Sequence, residues 1–122
     1  MSTAQASDVA TKFLEALARH YFEAVGATFA PDGRLRGLVP TALRELEGRK
    51  AIAERFELWA GDGQVLESGY EDFADVVKLR WRIVETSPDD ERSVFEQTAY
   101  AEIGDHGIAW MNLVCSGQRQ AD

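Results

Sequence analysis

Tyr21, Tyr70 and Asp72 are the side chains through which this sequence could move a proton, since a phenol beside a carboxylate can serve as an acid-base pair. Glu71, Asp72 and Asp75 form an acidic cluster near the junction of two predicted strands, which reads as a solvated turn or as a weak cation or acid-base site. His20 falls where one predicted helix hands over to the next; its simplest role there is capping, and catalysis is the sharper one. His106 falls in a predicted hairpin turn and should face solvent. The one cysteine, Cys115, excludes an internal disulfide and a cysteine-based structural metal site, and within an apolar strand it reads as a buried, inert thiol. No Ser/His/Asp spacing, glycine-rich phosphate loop or metal-ligand motif is present, so no cofactor or metal is expected.

A second group is mostly apolar. Phe13, Leu17, Leu35, Phe56, Trp59, Leu79, Trp81, Ala99, Met111, Leu113 and Cys115 fall on the inward faces of predicted elements, with Gln97 as their clearest polar member. Such a set either fills a core or lines a concave site for a small hydrophobic ligand, where one or two polar groups fix orientation. Gln97 could hold a carbonyl or hydroxyl, and Trp59 or Tyr21 could add a donor.

The elements that carry these residues change character midway. Ser7 can cap a helix running through Arg19, with Val9, Phe13, Ala16 and Leu17 at helical spacing. A short helix is predicted from Tyr21 to Phe29, stopped by Pro31-Asp32-Gly33, followed by a strand over Gly33 to Val39. Pro40 to Gly48 is mixed, and Ile52, Phe56 and Trp59 mark a third helix ended by Gly61. Beyond Gly63 the period becomes two, predicting strands over Val65 to Phe73, Asp75 to Thr86, Arg92 to Ile103 and Ile108 to Gln118. The Gly104-Asp105-His106-Gly107 hairpin joins the last two. Phe95, Gln97, Ala99, Ala101 and Ile103 then share one face with Met111, Leu113 and Cys115, while Tyr100, Trp110 and Val114 lie on the other.

Composition narrows the class of protein. A chain of 122 residues makes one domain, which should bury roughly two thirds of its unfolded surface. Its 45% hydrophobic and 28% charged residues are those of a soluble globular protein. A net charge of -8 disfavours nucleic-acid backbones and anionic membranes as partners, although Arg80 and Arg82 could form a local basic spot. No apolar run approaches a bilayer span, and the Met1 to Ser7 segment lacks the basic and apolar regions of a secretion signal, so a cytoplasmic location is expected.

Phe13-Leu14-Glu15-Ala16-Leu17, Phe29-Ala30-Pro31-Asp32-Gly33, Leu46-Glu47-Gly48-Arg49-Lys50-Ala51-Ile52 and Gly104-Asp105-His106-Gly107-Ile108 occur in an order that resembles the SnoaL-like branch of the nuclear transport factor 2-like superfamily. The resemblance covers about residues 8 to 118 of one domain spanning 1–122. It implies a cone-shaped α+β fold, a curved and mostly antiparallel sheet around N-terminal helices enclosing a cavity, and dimerisation through the convex sheet face. On that face Arg80 and Arg82 could pair with Glu96 and Glu102 across strands, beside Tyr100, Trp110 and Val114. A homodimer is the expected assembly.

The catalytic patterns that the resemblance implies are missing from their positions. Ketosteroid isomerases need a tyrosine, a carboxylate base and a protonated aspartate; the corresponding positions here hold Phe13, Gly37 and Ala99. The paired acid and base of SnoaL-like cyclases fall on Met111 and Leu113. Of the Asp-Arg-Asp set of limonene epoxide hydrolases, the strand carries Arg80 and Arg82, but both face outward and Leu113 replaces a carboxylate. The leading expectation is a binder of a small hydrophobic molecule in an apolar cavity. One alternative is an isomerase, cyclase or hydratase acting on a polyketide-like or steroid-like substrate through nonstandard groups such as Gln97, Tyr21, Tyr70 or Asp72. The other is a dimeric interaction module with a filled core.

Overall fold

Ala6, Ala10, Phe13, Leu14 and Leu17 recur at intervals of three or four residues, and the stripe they form is buried. In the computed structural model, which describes residues 3–120, they belong to helix α1, Thr3–Ala18. Ser7 therefore sits inside the helix rather than at its cap, a correction to the predicted start. The helix closes as predicted near Arg19: the Tyr21 N–H donates to Ala16 O at 2.9 Å and the His20 N–H to Leu17 O at 3.1 Å. That closure needs a left-handed residue, and His20 supplies it at φ +60°. Its ring meets Gly63 O through Nε2 at 2.6 Å and stacks on Phe22 at 5.6 Å, so side-chain contacts offset the strain of the backbone.

Helix α2, Phe22–Ala27, is shorter than predicted, because Phe29 already opens strand β1, Phe29–Val39. Pro31-Asp32-Gly33 does not stop the helix but lies within that strand. It is tolerated there because the β1 register shifts between Phe29 and Arg34 and pairing with β2 begins only at Arg34, so the missing proline N–H removes no ladder bond. The mixed segment after Pro40 is a further strand, β2, Ala42–Glu47, turned back on β1 through Pro40-Thr41. Helix α3, Arg49–Ala60, ends at Gly61 as predicted.

Strands β3 (Gln64–Phe73), β4 (Val76–Thr86) and β5 (Arg92–Gly104) fall within one residue of the predicted ends. Strand β6, Gly107–Cys115, stops earlier than predicted, and the chain resumes pairing with β5 as β7, Arg119–Gln120. The strand order is β2-β1-β6-β5-β4-β3, antiparallel throughout except for the parallel β1–β6 pair. Register shifts within β1–β6, β3–β4 and β5–β6 each bend a strand. The result is a curved mixed sheet whose concave face is covered by α1 and α3. At the β5–β6 hairpin Gly104 pairs with Gly107. Gly107 has φ +112°, and a Cβ there would come within 2.5 Å of Thr28 O, so the turn can lie against the start of β1 only with glycine.

Candidate functional site

Because side chains alternate along a strand, the β4–β5–β6–β1 registers arrange the inward residues in rows. Leu35, Met111, Ala101 and Val77 form one row; Gly37, Leu113, Ala99 and Leu79 the next; Cys115, Gln97 and Trp81 the third. From the helices, Phe13 reaches down onto Phe29, Phe56 and Trp81, with ring centroids 6.4, 5.4 and 5.4 Å away. Phe56 meets Trp59 edge-on at 5.5 Å, an arrangement the ring quadrupoles favour.

The structure thus brings the apolar residues proposed from sequence to one place, but as a packed interior. Phe13, Leu17, Leu35, Phe56, Leu79, Trp81, Ala99, Met111 and Leu113 are each 2% exposed or less. Trp59 and Cys115 are the partly exposed members, so the Cys115 thiol is less enclosed than predicted. It lies at the end of β6, where its Sγ accepts the Gly117 N–H at 3.5 Å. At the Trp59 end, the ring lies over Gly37, where a Cβ would stand 2.7 Å from its Cη2. A Cβ at 37 would force either the indole or the strand to shift.

Gln97 is the one buried polar side chain among the described residues, 1% exposed. Its Oε1 accepts the Trp81 Nε1–H at 2.8 Å. An indole nitrogen only donates, so this bond fixes which end of the amide faces Trp81. The Gln97 Nε2 then points its hydrogens into the interior with no partner, and the Arg55 Nε is likewise buried and unpaired.

The residues suggested for acid-base work do not join this cluster. Tyr21 is 58% exposed and borders a groove of about 410 Å³ beside Val9, Lys12 and Arg19. Tyr70 lies on edge strand β3 opposite Leu79. Hydrogen bonds from Ser7 and Thr11 on α1 hold its hydroxyl below the ordinary tyrosine pKa, with nearby Asp72 opposing that effect. Strand alternation sends Glu71 to the opposite face from Asp72, where it pairs with Lys78 at 3.8 Å, so Glu71, Asp72 and Asp75 do not converge.

On the convex face, Arg82 binds Glu96 through Nε at 2.9 Å and through Nη2 at 2.5 Å, and approaches Glu67 at 3.4 Å. These contacts raise its pKa further above the ordinary arginine value. The expected partnership with Glu102 does not form, because the register sets Arg80 opposite Thr98 and Glu102 opposite Trp110. Trp110 is instead covered by the Arg34 guanidinium at 5.2 Å and Tyr100 by Phe73 at 5.7 Å. Val114 remains 50% exposed, joined by Leu38 and Leu43 at 53% and 47%. The sequence reading missed these two leucines, although Pro40-Thr41 between two apolar-polar alternations is a turn signal that could have revealed them.

This architecture, helices on the concave side of a curved and mostly antiparallel open sheet, is the cone fold of the nuclear transport factor 2-like superfamily, the fold of ketosteroid isomerases. Among solved structures, a candidate isomerase from Bacillus subtilis superposes with a TM-score of 0.72 at 12% identity, covering 95% of this chain and 90% of that one. A candidate ketosteroid isomerase from Kribbella flavida gives 0.71 at 18% identity, covering 98% and 84%. A candidate polyketide cyclase from Xanthomonas campestris gives 0.69 at 16% identity, covering 91% and 90%. No protein-family model and no curated protein matches the sequence. Among the described residues no helix is long and apolar enough to cross a membrane.

Proposed function

We propose that this protein binds a small, largely apolar molecule between α1, α3 and the concave sheet face, with Gln97 as the polar anchor. The observation that carries this reading is the unpaired Gln97 Nε2. A buried amide with no acceptor costs about 1–3 kcal/mol, a penalty that a ligand carbonyl or hydroxyl would remove. The surrounding side chains supply an apolar enclosure, and the interior is closed without ligand. Entry therefore requires side chains to move, and the partly exposed Trp59, whose ring lies on Gly37, is the door.

The test compares 2-acetylnaphthalene, which carries one carbonyl, with 2-ethylnaphthalene, which carries none. The ketone should raise the melting temperature more, since a ligand that binds only the folded state stabilises it. Gln97→Met should erase the difference. Equal effects of the two compounds on the native protein would remove Gln97 as anchor, and no effect from either would remove the reading.

A second reading rests on a different observation. Leu43, Leu38 and Val114 lie directly opposite one another on the adjacent strands β2, β1 and β6, each about half exposed. Three neighbouring apolar side chains on an uncovered sheet face favour self-association, and a two-fold homodimer through the convex face is the form such a patch fits.

A further inference from the structure

The chain carries a net charge of -8, yet among the described residues neither Arg44 nor Arg55 forms an ion pair with a carboxylate. Arg55 is one helical turn before Trp59, with its guanidinium carbon 5.9 Å from the indole centroid and its Nε buried and unpaired. The side of α3 on which it lies follows from the packing of its neighbours. A Cβ at Gly26 would touch Ala53 at 2.9 Å, so α2 covers the Ala53 side. Ile52 and Phe56 face the core. Arg55 lies on the side away from Ala53, and α3 packs against β1 as well as β2. There Arg44 pairs directly with Gly37, the residue under the Trp59 ring, and so projects from the same face of the sheet. Its neighbours Glu45 and Glu47 alternate to the other face, where Glu45 takes Arg36 at 3.8 Å.

Two arginines from separate elements, one over the Trp59 ring and one paired with the glycine beneath it, thus lie at the partly exposed end of the apolar interior. We infer that Arg44 and Arg55 form an anion-binding site at the Trp59 door, and that the ligand is an amphipathic molecule with an anionic head group and an apolar body. This rests on the reading of the interior as a ligand site and adds the charge of what enters. Guanidinium groups match carboxylate and phosphate geometry and bind them with charge-assisted hydrogen bonds. The apolar body would pass beneath Trp59, and an unpartnered buried Nε beside that ring is a donor already desolvated for such a head group.

The experiment measures binding of 2-naphthoate and of neutral 2-acetylnaphthalene by calorimetry at low salt. Naphthoate should bind about tenfold more tightly, as expected for one well-placed charged contact, and the advantage should shrink as salt rises. Arg44→Gln, on an exposed edge strand, and Arg55→Gln should each reduce the advantage of naphthoate over the ketone. Arg55→Lys should keep most of the preference, which separates loss of charge from loss of packing. If both compounds bind equally and the arginine variants change neither, the anion site is refuted while the apolar site stands. If neither compound binds, both are refuted.

Discussion

The indole N–H of Trp81 ends on Gln97 Oε1, 2.8 Å away, inside an otherwise apolar interior. Each side chain satisfies one group of the other, and only the Gln97 Nε2 is left over. Trp81→Phe should therefore cost more than the lost ring area, because it strands the Gln97 carbonyl as well; about 3 kcal/mol is expected. Adding Gln97→Leu to that variant removes every stranded polar group, so the double variant should be more stable than the sum of the single losses by about 1 kcal/mol. Urea unfolding of the four proteins gives the coupling, and strict additivity would mean that the bond contributes nothing.

Phe13 is the side chain by which α1 fills the cone, in ring contact with Phe29, Phe56 and Trp81. Phe13→Ala should destabilise the fold by about 3–5 kcal/mol, and the void it leaves should take up benzene, as dry apolar cavities do. Leu58→Ala, at a position 69% exposed, should stay within about 0.5 kcal/mol of the native chain. Denaturant midpoints for the pair decide the matter, and similar losses at both positions would contradict the packing described for the interior.

Trp59 rests on Gly37 with no space for a methyl group between them. Gly37→Ala should push the indole outward and shift its emission to longer wavelength, read as the difference from the same substitution in a Trp59→Phe background. It should also speed ligand entry if that ring is the door. An unchanged Trp59 spectrum would show that the strand, rather than the ring, accommodates the methyl.

Tyr70 has its hydroxyl held by Ser7 and Thr11, which lowers its pKa from 10.0. Absorbance at alkaline pH should show a phenolate that is absent in Tyr70→Phe and forms at higher pH in Ser7→Ala with Thr11→Ala. The folded value lies below the unfolded one, so this network favours folding at pH above the unfolded value and loses that effect as pH falls through the folded value. A Tyr70 titration unchanged by Ser7→Ala with Thr11→Ala would show that the hydroxyls do not hold Tyr70.

Much of the fold was legible from the sequence because strands β4 and β5 alternate over long stretches, but the Gly104–Gly107 hairpin alone does not set the β6 face: the register shift between Glu102 and Ile103 is what puts Met111 and Leu113 opposite Ala101 and Ala99. Strand β2 was not legible, since Ala42-Leu43-Arg44-Glu45-Leu46-Glu47 is made of residues with weak strand preference and becomes a strand only through its pairing with β1. Pro31 misled for a related reason: a helix breaker is also acceptable where a bulged strand pairs with nothing. For the site, alternation placed Gln97 inward. The filling of the interior depends on how Phe13 and Phe56 descend from separate helices, which no local pattern records. Arg44 could be set opposite Gly37 only after β2 was known.

The exposed leucines follow from the same hairpin and give the last expectation. Leu38 lies between Leu43 and Val114 in directly paired positions, about half exposed in each case, whereas Trp110 and Tyr100 are already shielded by Arg34 and Phe73. If the convex face joins two copies, its energetic centre is therefore the leucine and valine patch rather than the aromatic pair. Leu38→Lys or Val114→Lys should convert a dimer to a monomer in sedimentation velocity by placing like charges across the two-fold axis, while Trp110→Ala should weaken it less. A concentration-independent monomer mass for the native chain would end the dimer reading. Dissociation by Trp110→Ala alone would move its centre back to the aromatic side.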